Sequence, residues 1–236
     1  GDELVRIEGV DLGTLDIGRG CLDTVPLAHA TGTPVMVLGD AGLSSTSEFS
    51  SGDVRDAKLV TATGEGTLAL AAAPTDSLAL SGRAIRPLPP GAARAIGAYS
   101  IDRMALLAAD VTLTWAHRDR LGQTSEVLDD YTTGDIGPEP GVSYAVEVLW
   151  VDPGTGNAIT PPATRIAAGT GTSFVLTLSD IPAGAAPANV SEADVRVVAA
   201  RDVDGVTRHS RTGRSYRVAF LIGWGQSWGA SWGSPS

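Results

Sequence analysis

The sequence holds few groupings of residues whose types and spacing suit catalysis. Two Gly-x-Ser-x-Gly patterns occur, at residues 225–229 and 229–233. In α/β-hydrolases an Asp and a His follow such a serine along the chain, and neither follows here. His117-Arg118-Asp119 imitates a kinase catalytic loop, but the required Asn and a glycine-rich loop with its lysine are missing. We therefore expect a core strand that ends at Trp115, with His117 to Arg120 as its solvated end.

Acidic residues cluster between residues 129 and 139. Asp129, Asp130, Asp135 and Glu139 would cleave glycosides only if a cleft held two carboxylates at a fixed separation. The sequence shows no aromatic-lined groove, so a solvated loop is the preferred interpretation.

Residues 202–205 (DVDG) place two carboxylates near a glycine, as calcium loops do. The segment lacks the third ligand and the distant glutamate of such loops. We therefore predict a hairpin turn that leads into residues 206–210.

Metal and redox chemistry have little support in the sequence. His29, His117 and His209 have no neighbouring histidine at helical or strand spacing, so a zinc site would require them to converge by folding alone. Cys21 is the single cysteine, which excludes an internal disulfide and predicts a small buried side chain. We predict no catalytic, metal-binding or cofactor-binding residue.

Charge and hydropathy argue against two classes of partner. The chain has 17 basic and 27 acidic residues and a net charge of −10, which opposes binding to nucleic acid and to anionic lipid. No apolar run reaches the roughly 20 residues that a bilayer requires. The first residues, Gly1-Asp2-Glu3-Leu4, have neither an initiator Met nor a signal-peptide pattern. We expect a processed chain or a piece of a longer polypeptide.

The elements that must position these residues are short β-strands, separated by turns that account for many of the 29 Gly and 14 Pro. Five strands are predicted in a small β-barrel or sandwich over residues 1–85, namely 3–10, 14–19, 34–39, 56–63 and 77–85. The segment Arg86-Pro87-Leu88-Pro89-Pro90-Gly91 fixes φ at three positions, which predicts a semi-rigid linker over residues 86–98.

Residues 99–222 alternate more clearly between large apolar and other residues. About seven strands separated by Pro/Gly turns predict an immunoglobulin-like β-sandwich, so the whole chain is expected to be all-β. The apolar stripes are 111/113/115, 144/146/148/150, 174/176/178, 195/197/199 and 216/218/220.

Residues 223–236 form a Gly/Trp-rich tail. Trp224, Trp228 and Trp232 recur every four residues, each followed by glycine. Glycine at this density argues against a free helix, so we expect an extended or irregular segment. Three indoles are costly to leave in water. We predict that they bind a neighbouring protein, with stacking on sugars as the alternative, whereas Trp150 is expected in the core.

Several motifs of the sequence resemble those of a known group of proteins. Residues 19–24 (RGCLDT) and 29–35 (HATGTPV) resemble a segment of tail-tip and baseplate proteins and of the host-contact proteins of gene transfer agents. The order RPLPPG (86–91), LTWAHRDR (113–120) and GPEPGVSY (137–144) resembles a C-terminal region of siphophage tail proteins. The Gly-Trp repeat resembles the extreme C-terminus of such proteins.

Residues 193–199 (ADVRVVA) resemble a strand of fibronectin type III domains, with the pattern Y-x-V-x-V-x-A. Ala193 stands where that family has its corner tyrosine, so we expect the corner hydrogen bond to be absent.

The resemblance implies a structural role in the distal tail of a virion, and it brings no catalytic residues. The expected partners are other tail proteins, further copies of the chain in a cyclic arrangement such as a trimer, and a glycan or protein of the host surface. A carbohydrate-binding adhesin module is the alternative. A tail-associated glycan hydrolase, with Asp129, Asp130, Asp135 or Glu139 in a cleft, is a third hypothesis.

Overall fold

A computed structural model describes residues 3–37, 47–97, 110–122, 128–152, 154–159, 164–180, 192–211 and 213–219. The described residues are all-β, as predicted, with two short 3-10 turns at Arg83–Ile85 and Leu178–Asp180. Every strand pairing among them is antiparallel, and none of their sheets closes into a barrel. The strands are β1 (Arg6–Asp11), β2 (Thr14–Gly18), β3 (Val54–Ala57), β4 (Ala62–Thr63), β5 (Gly66–Thr67), β6 (Asp76–Ala79), β7 (Gly91–Ala95), β8 (Asp110–Ala116), β9 (Val142–Val151), β10 (Thr164–Gly169), β11 (Ser173–Thr177), β12 (Glu192–Val203), β13 (Val206–His209) and β14 (Ser215–Ala219).

The chain divides into two compact units. The first combines the N-terminal residues up to Ala28 with the chain from Pro87 onward, and the second is His29–Arg86. The division near Arg86 lies where the sequence predicts one. The division after Ala28 differs from the predicted 1–85 module, because residues 3–28 form long-range hydrogen bonds with residues 118–131 that no local pattern reveals.

The core of the first unit lies between two sheets, as in a β-sandwich. One sheet has the order β11-β8-β7. In the other, β9 lies between β10 and β12, while β14 and β13 pair with the two ends of the remaining edge of β12. Four of the predicted apolar stripes supply buried side chains to this core, because alternate residues of a strand point to the same face. The buried members are Val111, Leu113, Trp115, Tyr144, Val146, Val148, Trp150, Val195, Val197, Ala199, Tyr216 and Val218.

The remaining stripe and the predicted hairpin also have counterparts in the first unit. Leu176 is fully buried and Phe174 packs against the core from β11. The hairpin is confirmed: Val203 pairs with Val206, and the Asp202 carboxylate accepts a hydrogen bond from the Gly205 N–H over 2.9 Å. Phe220 lies outside the described residues.

The proline-rich stretch that the sequence predicts to be a linker is packed into the first unit. Residues 87–91 are buried, and β7 begins at Gly91, directly after the last proline. From Gly91 onward every residue has an N–H to donate, so pairing with β8 becomes possible. The described residues 87–97 of the predicted semi-rigid linker over 86–98 thus belong to the first unit and include β7.

Residues 3–28 are tied together by one buried carboxylate. Glu3, whose side chain is 1% exposed, accepts hydrogen bonds from Arg19 Nε at 2.9 Å and Nη2 at 2.6 Å. It also accepts the N–H groups of Gly20 and Leu27. Next to these hydrogen bonds, β1 and β2 form a two-stranded ribbon that pairs with no other described strand.

The second unit, residues 29–86, contains two small sheets, β3-β6 and β4-β5. The described residues 34–37 are not in a strand, and the predicted strand 77–85 ends at Ala79, before the 3-10 turn. Ala73 is the only buried residue among the described residues of this unit. Their apolar side chains are therefore largely in contact with solvent.

Candidate functional site

The segment after β8 is buried rather than solvated. His117 is 8% and Arg118 5% exposed, so the prediction of a solvated end at residues 117–120 is wrong for these two residues. Their burial results from the loop of residues 128–141, which folds over them. The Asp135 carboxylate accepts the His117 N–H over 2.6 Å, and the His117 carbonyl accepts the Ile136 N–H over 3.2 Å.

The His117 ring is held by an aromatic neighbour. Its Nδ1 lies 2.8 Å from the Tyr144 hydroxyl, and the two rings stack with centroids 5.5 Å apart. The ring of Trp115 also lies near Tyr144, with the two ring centroids 5.3 Å apart. Burial, reinforced by the charges of Asp135 and Glu139, raises the pKa of Tyr144 well above its ordinary value. The hydroxyl therefore stays protonated and serves as a structural hydrogen-bonding group.

Arg118 is a buried cation whose hydrogen bonds go to backbone carbonyls. Its Nη1 donates to Gly20 O over 3.3 Å and its Nη2 donates to Asp129 O over 3.1 Å. Desolvation lowers the pKa of the guanidinium below its ordinary value. Arg118 thus joins the N-terminal segment to the 128–141 loop, a role that the short HRD motif does not indicate.

Glu139, in the GPEPG motif, is the centre of a second buried cluster. Its side chain is 1% exposed, and its Oε1 accepts hydrogen bonds from Arg120 Nη2 and Arg201 Nη1, each over 2.9 Å. The Arg120 N–H also points to this carboxylate, 3.3 Å from Oε2. The two arginines come from the segment after β8 and from β12, so Glu139 links the two sheets of the sandwich.

The remaining acidic residues of the 129–139 cluster have separate local partners. One Asp130 oxygen accepts hydrogen bonds from the backbone and hydroxyl groups of Thr132 and Thr133. Burial alone would raise the pKa of Asp130, but these hydrogen bonds outweigh it and hold the pKa below its ordinary value. Asp135 binds the His117 N–H, and Glu139 binds two arginines. Three of the four carboxylates considered for glycoside cleavage, Asp130, Asp135 and Glu139, are thus engaged in internal contacts.

A further ion-pair cluster lies on the outer face of the β10-β9-β12 sheet. Glu147 accepts hydrogen bonds from Arg165 Nε over 2.6 Å and from Arg196 Nε over 2.5 Å. Burial would raise the pKa of Glu147, but the two arginines hold it below its ordinary value. The register pairs Glu147 with both arginines across the strands. The sequence alone does not give this register, and the cluster was not predicted from it.

The three histidines are divided between the two units. His29 is exposed in the second unit, whereas His117 is buried and His209 half-buried in the first. Within the described ranges, no group of three His, Cys, Asp or Glu side chains is placed to hold a metal ion. Cys21 is buried, as predicted, and its thiol lies 3.5 Å from Gly18 O. Burial raises the pKa of this thiol.

The tryptophans fall into two groups. Trp150 is buried in the core, as predicted, and Trp115 is buried on β8, so neither presents a face for a sugar. Trp224, Trp228 and Trp232 lie outside the described residues, as do both Gly-x-Ser-x-Gly patterns.

Two apolar surfaces remain exposed, one in each unit. In the first unit, the ribbon exposes one apolar face, made by Val5, Ile7, Val10, Leu15 and Ile17. In the second unit, ten large apolar side chains are exposed: Val35, Met36, Val37, Phe49, Val54, Leu59, Val60, Leu68, Leu70 and Leu78. Where exposed apolar side chains form a contiguous patch, they mark a site of protein association. Sequence reasoning predicted the two strands of the ribbon but missed that their apolar residues stay uncovered.

No protein-family model matches the chain, and no curated protein is similar to it in sequence. In the part of the chain that the structure describes, no helix has the length and apolar character needed to cross a bilayer. What the chain does must therefore be inferred from its own residues and contacts.

Proposed function

We propose that the chain is a structural component of a phage tail tip, baseplate or fibre, where it joins neighbouring subunits and contributes to attachment to the host surface. The observation that carries this proposal is the exposure of apolar side chains on the ribbon and across residues 29–86. The expected location is the distal tail of a virion or phage-like particle.

The contrast between the two kinds of surface residue supports an assembly role. The polar residues of the HRDR and GPEPG motifs are engaged in hydrogen bonds within the chain, where they hold loops and strands together. In the described residues of the second unit, by contrast, Ala73 alone is buried and the large apolar side chains are mostly exposed. A unit of this size needs a core to be stable, and a neighbouring subunit supplies the missing contacts.

The motif order resembling siphophage tail proteins supports the more specific assignment to a tail. Modular β proteins that assemble into rings or fibres require no cofactor, and their apolar surfaces are covered by further subunits. Binding to a host-surface glycan or protein belongs to the same proposal, through loops, strand edges and the Trp tail.

Immunogold electron microscopy of particles released by the organism that encodes this chain tests the proposal. Antibodies raised against the purified chain should label the distal end of the tail. Labelling of the capsid, or of no particle at all, would refute the assignment.

Two assays separate the alternatives. Binding on a glycan array that disappears in Trp228→Ala would favour the carbohydrate-binding adhesin module over an assembly role for the tail. Release of sugar from cell-surface glycans that is lost in Asp130→Asn would instead identify a glycan hydrolase.

A further inference from the structure

The ribbon has a sheet face without a partner. In its register Ile7 pairs with Ile17 and Val10 pairs with Leu15, so these four side chains lie on one face. Their exposed fractions range from 37% for Ile17 to 71% for Val10. The opposite face carries Arg6, Asp16 and other polar residues. Each strand of the ribbon also has one edge with no strand beside it among the described residues. A two-stranded ribbon is marginal by itself, so a further strand would stabilise it.

The sequence after β14 has the pattern of such a strand. From residue 220 to residue 233, the even positions hold almost all the large residues and the odd positions from 223 onward hold only glycine and serine. A period of two is the period of a β-strand, in which alternate side chains share one face. The even positions are Phe220, Ile222, Trp224, Gln226, Trp228, Ala230 and Trp232. In an extended conformation this segment therefore has one strongly apolar face and one face of small residues.

Charge also suits an association between these two parts of the chain. Residues 220–236 contain no charged residue, although the whole chain carries a net charge of −10. Two copies of the chain therefore repel each other least where this segment forms the contact.

The fold separates the ribbon from the point where β14 ends. The ribbon is anchored at the end of the sandwich marked by Trp115 and Tyr144, through hydrogen bonds from Arg118 to Gly20 O and from the Tyr131 N–H to Arg19 O. Ala219, the last residue of β14, pairs with Glu192, which pairs with Val151 at the other end of β9. Tyr144 and Val151 are separated by about 23 Å along the strand, at roughly 3.3 Å per residue.

This separation favours a second copy over the same chain. To reach its own ribbon, the segment would use about seven residues to cover the length of β9. Phe220, Ile222 and Trp224 would be among those seven residues, so their side chains would not reach the ribbon. A neighbouring copy placed end to end can present its ribbon to the whole segment.

We propose that residues 220–232 of one copy add as a strand to the β1-β2 ribbon of a second copy, with the Phe, Ile and Trp side chains extending the apolar face of the ribbon. This inference rests on the proposed assembly function and names its partner. Main-chain hydrogen bonds supply affinity in such strand addition, and the alternating side chains supply specificity. The contact joins different surfaces of two copies, so repetition produces a ring if the rotation closes and a filament if it does not.

Sedimentation velocity of the full chain over a range of concentrations tests the proposal. The wild type should self-associate. Leu15→Asp, which places a charge on the ribbon face, should weaken association about tenfold or more. A full chain with Trp224→Ser, Trp228→Ser and Trp232→Ser together should weaken it by a similar factor. Val175→Asp, at an equally exposed position on β11, is the matched control and should associate like the wild type.

Mixing the two defective variants gives a sharper test. The Leu15→Asp chain keeps an intact C-terminal segment, and the triple Trp variant keeps an intact ribbon. Together they should form a one-to-one dimer that grows no further, because only one productive contact remains. A monomeric wild type, association that survives in both variants, or a mixture that stays monomeric would overturn the proposal. Circular dichroism of each variant checks that it folds. If Leu15→Asp does not fold, the triple Trp variant still tests the contact.

The outcome is distinguishable from that of the proposed function. Labelling of the distal tail together with a monomeric purified chain would leave the tail assignment in place and refute the strand addition. Head-to-tail association without any labelling of particles would support the strand addition and refute the tail assignment.

Discussion

Tyr131 and Tyr216 both hydrogen-bond to the backbone of Ala93, one to each of its polar groups. The Tyr131 hydroxyl accepts the Ala93 N–H over 3.2 Å, and the Tyr216 hydroxyl donates to the Ala93 carbonyl. Tyr131 comes from the loop after β8 and Tyr216 from β14, so the two residues clamp β7 between the loop and the opposite sheet. The neighbouring Ala92 has a φ of 44°, and the β7-β8 register shifts at this point. The two tyrosine hydrogen bonds therefore fix the position of β7 where its backbone is irregular.

Tyr216→Phe should lower the free energy of unfolding by about 1–2 kcal/mol, because the Ala93 carbonyl would lose its hydrogen bond in a buried site. Urea denaturation followed by tryptophan fluorescence measures the loss. Tyr131→Phe is the companion variant, and the two losses should not be additive because both act on β7. An unchanged midpoint in Tyr216→Phe would show that this hydrogen bond does not contribute.

Ala193 occupies the position of the corner tyrosine in the strand that resembles fibronectin type III domains. Ala193 is fully buried between Val218 and Trp150 and has no hydroxyl to form the corner hydrogen bond. Tyr216, one strand away on β14, makes a different link from its sheet to β7. No sequence pattern predicted the partner of Tyr216.

Glu139→Gln should destabilise the fold by about 2–4 kcal/mol, since it removes the buried charge that Arg120 and Arg201 share. Thermal unfolding is a suitable measurement. Glu65→Gln, at an exposed position in the second unit, is the control and should leave the transition of the first unit unchanged. Equal stability of Glu139→Gln and the wild type would contradict a linking role for this carboxylate.

Glu147 should make stability depend on pH. Its pKa in the folded chain lies below its ordinary value of 4.5, because of the hydrogen bonds from Arg165 and Arg196. A carboxyl with a lowered pKa contributes its full stabilisation above the ordinary value and loses it as the pH falls through the folded pKa. The difference in unfolding free energy between the wild type and Glu147→Gln should therefore be largest above about pH 5 and shrink towards pH 3. A difference that grows on acidification would contradict the assignment.

Arg118→Met should loosen the N-terminal segment rather than unfold the sandwich. The variant removes the hydrogen bonds to Gly20 O and Asp129 O but keeps an apolar side chain of similar length. Limited proteolysis with mass spectrometry should show faster cleavage within residues 3–28. Arg94→Met, at an exposed position on β7, is the control. Identical cleavage rates in the wild type and Arg118→Met would exclude Arg118 as an anchor.

Under the proposed tail function, deletion of residues 223–236 should impair particle assembly, because the predicted partner-binding residues Trp224, Trp228 and Trp232 would be lost. Electron microscopy and infectivity or transfer counts of the mutant particles provide the measurement. Normal particles in normal numbers would count against a role of this segment in assembly.

The sequence predicted the sandwich better than the contacts around it. Alternation at residues 144–150 and 195–199 identifies buried strand faces because a strand has a period of two. By contrast, Glu139 binds Arg201 across 62 positions and Arg118 binds Gly20 across 98, and pairings at such distances depend on topology. His117 and Arg118 follow the end of a strand, where polar residues usually meet solvent, so their burial by the 128–141 loop was missed. The uncovered ribbon face was missed for the same reason, since burial depends on which elements pack together.

The hydrogen bond between Arg118 and Gly20 also constrains how the nascent chain folds. Residues 3–28 complete their packing only after a partner 98 positions later has been synthesised. At translation rates of about 5–20 residues per second, this delay lasts roughly 5–20 s. During that interval Cys21 and Val25, which are buried in the folded chain, remain exposed to solvent, which favours premature aggregation. Chaperone capture during synthesis, or slow translation through the β7-β8 region, would thus affect the yield of folded chain more than its final stability.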